Sequence, residues 1–270
     1  MTFLPTIVFF VLGLIVGSFL NVVIFRLNTA RSFGGRSACM SCRHKLNWSE
    51  LIPLFSFLGL KGRCRHCQTK ISLQYPLIEL AAGLVFSVLF LKFQDILFIS
   101  MPMFIFVYVY YAAMFSLLII IVAYDLRHKI IPDSLSFIFG ALALAGLFFF
   151  HLDNLLSSSN FFVFYWYFPT PLELLSGLLI SLPFYLLWRM SRGVWMGLGD
   201  AKLALGLGYF LGFPLALSAV VTAFWIGAIA GLFLIIFKKG YGLKSEIPFA
   251  PYLVLAAFLT FIFYWRFFGI

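Results

Sequence analysis

Long apolar blocks, separated by short polar connections, dominate the chain. They fall at about 3–25, 76–94, 98–123, 134–151, 172–188, 201–213, 215–237 and 248–266. Blocks of this length predict helices that cross a bilayer. The sixth is the weakest. It is separated from the seventh at Gly212-Phe213-Pro214, because Gly followed closely by Pro is a turn signal. The first block has no basic residue ahead of it and many behind it, which predicts a retained span and not a cleaved signal.

The polar connections set the orientation. Eight spans put both termini on one side. The loops on the other side then hold 17 of the 19 basic residues: nine from Arg26 to Lys70, and then Arg127, Lys129, Arg189, Arg192, Lys202, Lys238, Lys239 and Lys244. Basic loops stay in the cytoplasm, so both termini are expected outside. The loop at 152–171 has no basic residue, and its Tyr165, Trp166 and Tyr167 suit a membrane–water interface. No sequence repeat is apparent.

Composition agrees with this pattern. Of 270 residues, 63% are hydrophobic and 10% charged, and mean hydropathy is +1.07. A soluble protein of this size has no way to hide so much apolar surface, so lipid is the expected partner for most of it. The net charge of +10 lies between spans and is not a nucleic-acid footprint. The expected architecture is all-α and integral to the membrane. It comprises a first transmembrane helix (1–27), a cytoplasmic four-cysteine loop (28–75) and a seven-helix core (76–270).

That loop holds all four cysteines, as Cys39-x-x-Cys42 and Cys64-x-x-Cys67, with 21 residues between the pairs. Two such pairs can present four thiolates tetrahedrally to one zinc ion, whose binding would supply folding energy that so short a loop lacks. Disulfides are the alternative, but they do not suit a reducing compartment; a redox pair is another, but nothing here resembles a thioredoxin fold. His44 and His66 are expected to be solvated, since four thiolates fill a structural site.

Only nine acidic residues exist. Glu50, Asp95, Asp153, Glu173 and Glu246 lie in loops or at span ends and read as solvated surface. Glu79 lies just inside the second span, where a carboxyl group points to function or to an interfacial position; Asn21, a polar residue in the first span, is a cleft candidate with it, or an interhelical hydrogen bond. Asp133 follows Pro132 and is expected to cap a helix. Asp125 ends the third span, where pairing with Arg127 or Lys129 is the plain alternative. Asp200 sits in Gly197-Leu198-Gly199-Asp200-Ala201-Lys202 at the start of the sixth span, where an N-cap is the plain alternative. Both fall at the cytoplasmic edge. Two carboxyls meeting in a partly dry site can share a proton, one activating water and the other hydrogen-bonding a scissile carbonyl. Helix dipoles assign the proton to Asp125, near a helix C-terminus, rather than to Asp200, near an N-terminus.

These residues resemble the bacterial type IV prepilin peptidases. The resemblance runs through Gly17-Ser18-Phe19-Leu20-Asn21-Val22, the paired cysteines, Leu51-Ile52-Pro53, Gly62-Arg63-Cys64-Arg65, Tyr75-Pro76-x-x-Glu79, Asp125 to Asp133, Gly197 to Asp200 and Pro248-Phe249-Ala250-Pro251. It implies that Asp125 and Asp200 are catalytic, with Gly197, Gly199 and Lys202 supporting their loop. It implies prepilin and pseudopilin substrates, whose basic leaders are cut after a glycine. In four-cysteine versions it implies N-methylation of the new terminus with S-adenosylmethionine. Two positions depart from the family pattern: Met40 stands where Pro is usual, and Ala250 where Gly is common. The rivals are another Gly-x-Gly-Asp intramembrane protease, of the presenilin or signal-peptide-peptidase type, and a transporter or scaffold with a zinc module. The cysteine loop opposes the first; two aspartates at one membrane face, away from the midplane, oppose the second.

Overall fold

The computed structural model describes residues 3–29, 34–149, 168–237, 242 and 247–266, and among these the chain is helical, with only isolated β-bridges. The predicted interface aromatics Tyr165 to Tyr167, and Lys238, Lys239, Lys244, Asp153 and Glu246, lie outside the described residues. The helices are α1 (Phe3–Arg26), α2 (Phe55–Gly59), α3 (Gln74–Ile99), α4 (Met101–His128), α5 (Asp133–Gly146), α6 (Pro171–Ser191), α7 (Leu198–Leu211), α8 (Phe213–Phe237) and α9 (Ala250–Phe263). All but the short α2 correspond to the eight predicted spans. Five of them, α1, α3, α4, α6 and α8, are long and apolar enough to cross a membrane. The remaining three have 14 residues each, about 21 Å at 1.5 Å per residue. That is shorter than a bilayer's apolar core.

Two compact units divide the chain, Met1–Ala123 and Tyr124–Ile270. In the first, α1 packs on α3 through small residues spaced four apart. A Cβ on Gly13 would lie 2.6 Å from the Ala82 carbonyl oxygen, and one on Gly17 would lie 2.8 Å from the Glu79 Cα. Without a hydrophobic force between helices in lipid, such close backbone approach is what holds them together. The loop between them carries a 3-10 turn at Trp48–Glu50, capped by Glu50 on the Asn47 N–H at 2.8 Å, and α2.

In the second unit α7 is the hub. It packs on α5, α6, α8 and α9, and Ala201, Leu203, Ala204, Gly206, Leu207, Gly208, Phe210 and Leu211 are buried. Gly208 meets Gly177 of α6 backbone to backbone, where a Cβ would come within 2.6 Å of Cα; beside it the Ser176 hydroxyl donates to the Gly208 carbonyl at 2.9 Å. The small residues that weaken α7 as a hydropathy signal are those that let its neighbours close on it. It ends at Gly212, whose φ of +74° breaks the helix before α8, as the glycine–proline signal predicts. Glu173, an acid at a span end, closes a capping box with Thr170 at the start of α6.

Candidate active site

The sequence singles out Asp125 and Asp200, and the second unit brings them together. Asp125 is on the last turn of α4 and is 5% exposed. Asp200 is the third residue of α7 and half-buried. The carboxyls lie close enough for Asp200 to feel the charge of Asp125. Asp200 is not the helix cap. That place belongs to Gly197, whose backbone N–H donates back to the Asp200 carboxyl. Gly199 faces the α4–α5 turn: a Cβ there would lie 2.9 Å from the Cβ of Ile131.

Asp125 has a partner that dipole reasoning on α4 alone misses. The backbone N–H of Ala250 hydrogen-bonds its carboxyl, and Ala250 is the first residue of α9 and fully buried. The N-terminus of α9 therefore faces the carboxyl that ends α4, and its dipole opposes that of α4 there. A small residue at position 250 permits this approach. Among the described residues the Oδ2 of Asp125 has no hydrogen-bond partner. Asp133 is also not a cap. Pro132 holds that place, and Asp133 opens α5 with its Oδ1 2.6 Å from the Lys202 Nζ. Beside Asp200, between α6 and α7, runs an open apolar groove of about 380 Å³ lined by Leu175, Leu178, Leu182, Leu198, Ala201 and Leu205 among others.

The four cysteines form a second site, within the first unit. Their sulfurs all lie within 4.8 Å of one another, and Cys39 Sγ is 3.8 Å from Cys67 Sγ. Zinc–sulfur bonds of about 2.3 Å put tetrahedral sulfurs about 3.8 Å apart, so the residues fit zinc. The two pairs are built alike at an offset of 25 residues. Cys39 N–H donates to His44 O and Cys64 N–H to Thr69 O; Arg43 N–H donates to Cys39 O and Gln68 N–H to Cys64 O. Bridges join Ala38 to Lys45 and Arg63 to Lys70, and the residue after each second cysteine turns left-handed, with φ of 57° at Arg43 and 55° at Gln68. The thiols are unequal. The Thr69 hydroxyl and N–H draw Cys67 down to about 6. Hydrogen bonds from the Cys42 and Ser41 backbone lower Cys39. The His44 N–H favours the Cys42 thiolate, but burial and the three neighbouring sulfurs prevail and push it up to about 11. His44 and His66 stack on each other with ring centroids 3.7 Å apart and stay outside the sulfur cluster.

Asn21 and Glu79 share the α1–α3 interface. Asn21 Nδ2 donates to the Tyr75 carbonyl at 3.1 Å, while its buried Oδ1 has no hydrogen-bond partner among the described residues. Glu79 accepts from the Leu54 N–H at 2.9 Å and from Ser18. It thereby ties the cysteine loop to the head of α3.

Comparison with known proteins decides the family. The Bacterial Peptidase A24 N-terminal domain matches residues 11–93, and the Type IV leader peptidase family matches residues 112–232. A protein named prepilin leader peptidase/N-methyltransferase from Aeromonas salmonicida is 31% identical over 286 residues, covering 93% of this chain and 88% of its own length. The chain belongs to the type IV leader peptidase family. Other similar proteins bear the same name. One from Bacillus subtilis is 29% identical across 95% of this chain and 93% of its own. One from Myxococcus xanthus is 33% identical across 88% of this chain, which spans 65% of that protein's length. No solved structure matches. In this leader peptidase the first family match ends within α3, and the second takes in the ends of α4 and α7 that bear the carboxyl pair.

Proposed function

We propose that this leader peptidase cleaves the short basic leaders of type IV prepilins and pseudopilins, after a glycine, by aspartic chemistry at the cytoplasmic face of the inner membrane. The observation that carries the reading is the meeting of Asp125 and Asp200 at the ends of α4 and α7. The ionised carboxyl of the pair takes a proton from water as the water oxygen attacks the scissile carbonyl carbon. The other carboxyl holds a proton that hydrogen-bonds the carbonyl oxygen and passes to it, giving a tetrahedral gem-diol. Collapse breaks the C–N bond: the carboxyl that took the water proton gives it to the departing amine, while one gem-diol hydroxyl returns its proton to the other carboxylate, leaving the new carboxylic acid and the resting pair. The Gly197 and Ala250 N–H groups hold the two carboxyls in place without consuming a proton. The apolar groove beside Asp200 suits an apolar substrate segment that follows the scissile bond. The basic loops support a cytoplasmic position for the carboxyl pair, on the side where a basic leader would remain.

The cysteine centre would hold zinc through Cys39, Cys42, Cys64 and Cys67 and give the loop a fixed shape that its few apolar residues do not. The relatives' shared name also supports N-methylation of the new terminus. S-adenosylmethionine would supply an electrophilic methyl group. Asn21 Oδ1, a buried acceptor without a partner among the described residues, and Glu79 are suited to an ammonium or hydroxyl donor of that cofactor or of the substrate amine. Gly197, Gly199 and Lys202 support the carboxyl loop. Mass spectrometry of a prepilin incubated with the enzyme and methyl-deuterated S-adenosylmethionine tests both activities. The expected product lacks the leader and carries one labelled methyl at its new N-terminus. An uncut prepilin would overturn the peptidase reading, and an unlabelled mature product the transferase.

A further inference from the structure

We infer that Asp133 and Lys202 are a positioning pair that sets how the two catalytic carboxyls face each other; the inference rests on the peptidase reading above. Lys202 Nζ is 2.6 Å from Asp133 Oδ1, across 69 residues of sequence. Two residues before Asp133, Ile131 packs on Gly199, three residues before Lys202. These two contacts clamp the start of α5 to the first turn of α7. One contact leaves a hinge; two leave none. Asp200 lies between the two clamp points on α7. Asp125 is joined to the other side by a short turn in which Lys129 has a φ of 54° and donates its N–H to the Asp125 carbonyl at 2.7 Å. Slack in the clamp therefore becomes slack in the carboxyl pair.

Exposure bears on the pair's role. The side chains are 40% and 76% exposed, and such pairs add little to stability. Geometry and local charge are what remain. Lys202 is two residues from Asp200, and Asp133 offsets its charge. The other charged groups here are Arg127 and His128 in the last turn of α4, Lys129 after it, and Arg189 and Arg192 at the end of α6; α8 and α9 bring none along their described lengths.

The test uses the full-length enzyme in lipid nanodiscs, as wild type, Asp133→Asn, Lys202→Met, the exchange Asp133→Lys with Lys202→Asp, and Lys202→Arg. Each is checked for folding by circular dichroism. Two readouts are taken. Prepilin cleavage gives kcat and KM separately. Infrared titration of the protonated carboxyl band, read against an Asp125→Asn background, needs no substrate. The expected result is a kcat loss of about tenfold or more in each neutralised variant, Asp133→Asn and Lys202→Met, with KM within about threefold, and a substantial recovery in the exchange. The carboxyl band should titrate lower in Asp133→Asn, where Lys202 is left unopposed, and higher in Lys202→Met, where Asp133 is. Lys202→Arg, which keeps the charge pair, should stay faster than Lys202→Met. Should a neutralised variant not fold, the exchange and Lys202→Arg still decide. Single variants with wild-type kcat and unmoved titration would overturn the inference, as would an exchange no faster than the single variants. A wild type that cuts no prepilin would fail the peptidase reading instead, while the infrared shifts would still judge the pair.

Discussion

Gly199→Ala tests how tightly the carboxyl pair is held. The new Cβ would lie 2.9 Å from Ile131 Cβ and 3.4 Å from its Cγ1 and Cδ1. Carbon atoms in good contact sit about 3.5–4.0 Å apart, so about 0.6–1 Å of separation must be found. Rotation of the Ile131 side chain cannot supply it, because the nearest atom is Cβ and Ile131 is itself buried. The backbone of the turn or of α7 must move. A misplacement of about 1 Å at a catalytic constellation lowers rate by about 10²-fold, or about 2.7 kcal/mol of barrier. The prediction is a kcat some 10–100-fold below wild type with KM little changed, measured by initial-rate cleavage of a prepilin in nanodiscs. Gly197→Ala is the contrast: its nearest neighbours would be 3.6 and 3.9 Å away, so its loss should be clearly smaller. Ile131→Gly added to Gly199→Ala removes the offending carbon and should return part of the rate. A Gly199→Ala enzyme within about threefold of wild-type kcat would show that this contact does not govern the carboxyl spacing.

Three other expectations follow from the same geometry. Ala250→Leu inserts a side chain at a position with no exposure and pushes the α9 N-terminus off Asp125; cleavage should fall far more than in Ala250→Gly, read by the same assay. Metal binding at neutral pH should release protons, since Cys42 is pushed up to about 11 and is still a thiol there, while Cys67 at about 6 is mostly ionised. Zinc affinity should rise with pH above about 6 and fall below it as Cys67 protonates, and calorimetry in buffers of differing ionisation enthalpy reads both; affinity independent of pH would contradict the assigned ligands. Gly17→Val sets a branched side chain where even Cβ is 2.8 Å from the Glu79 Cα. It should lower the unfolding temperature by parting α1 from α3, at a cost of about 1–3 kcal/mol.

Most of the helical layout was legible because lipid selects for long apolar blocks that no other feature imitates. The ends of α1 and α8 and the break at Gly212 follow the sequence within a residue or two. The carboxyls that the charge pattern placed at one membrane edge are brought together within one unit. Other features were hidden for definite reasons. The likeness of the two cysteine knuckles lies in backbone hydrogen bonds and left-handed turns. In sequence, residues 37–46 and 62–71 share only the cysteines and a lysine, so no repeat is visible there. Asp133 follows Pro132 like a cap, yet the proline holds that position and the carboxylate reaches Lys202; only a tertiary contact reveals this. The donor to Asp125 is a backbone N–H from a helix that begins 125 residues later, and a backbone group leaves no residue-type signal. The proton assignment drawn from the α4 dipole alone omitted that second helix end.

The most direct test of the central claim compares wild type, Asp125→Asn and Asp200→Asn on one prepilin, with each protein shown to be folded and the product masses read by mass spectrometry. The account predicts a leader cut only by wild type, and by neither variant at any pH at which wild type is active. Undiminished cleavage by either folded variant would contradict the shared-carboxyl mechanism.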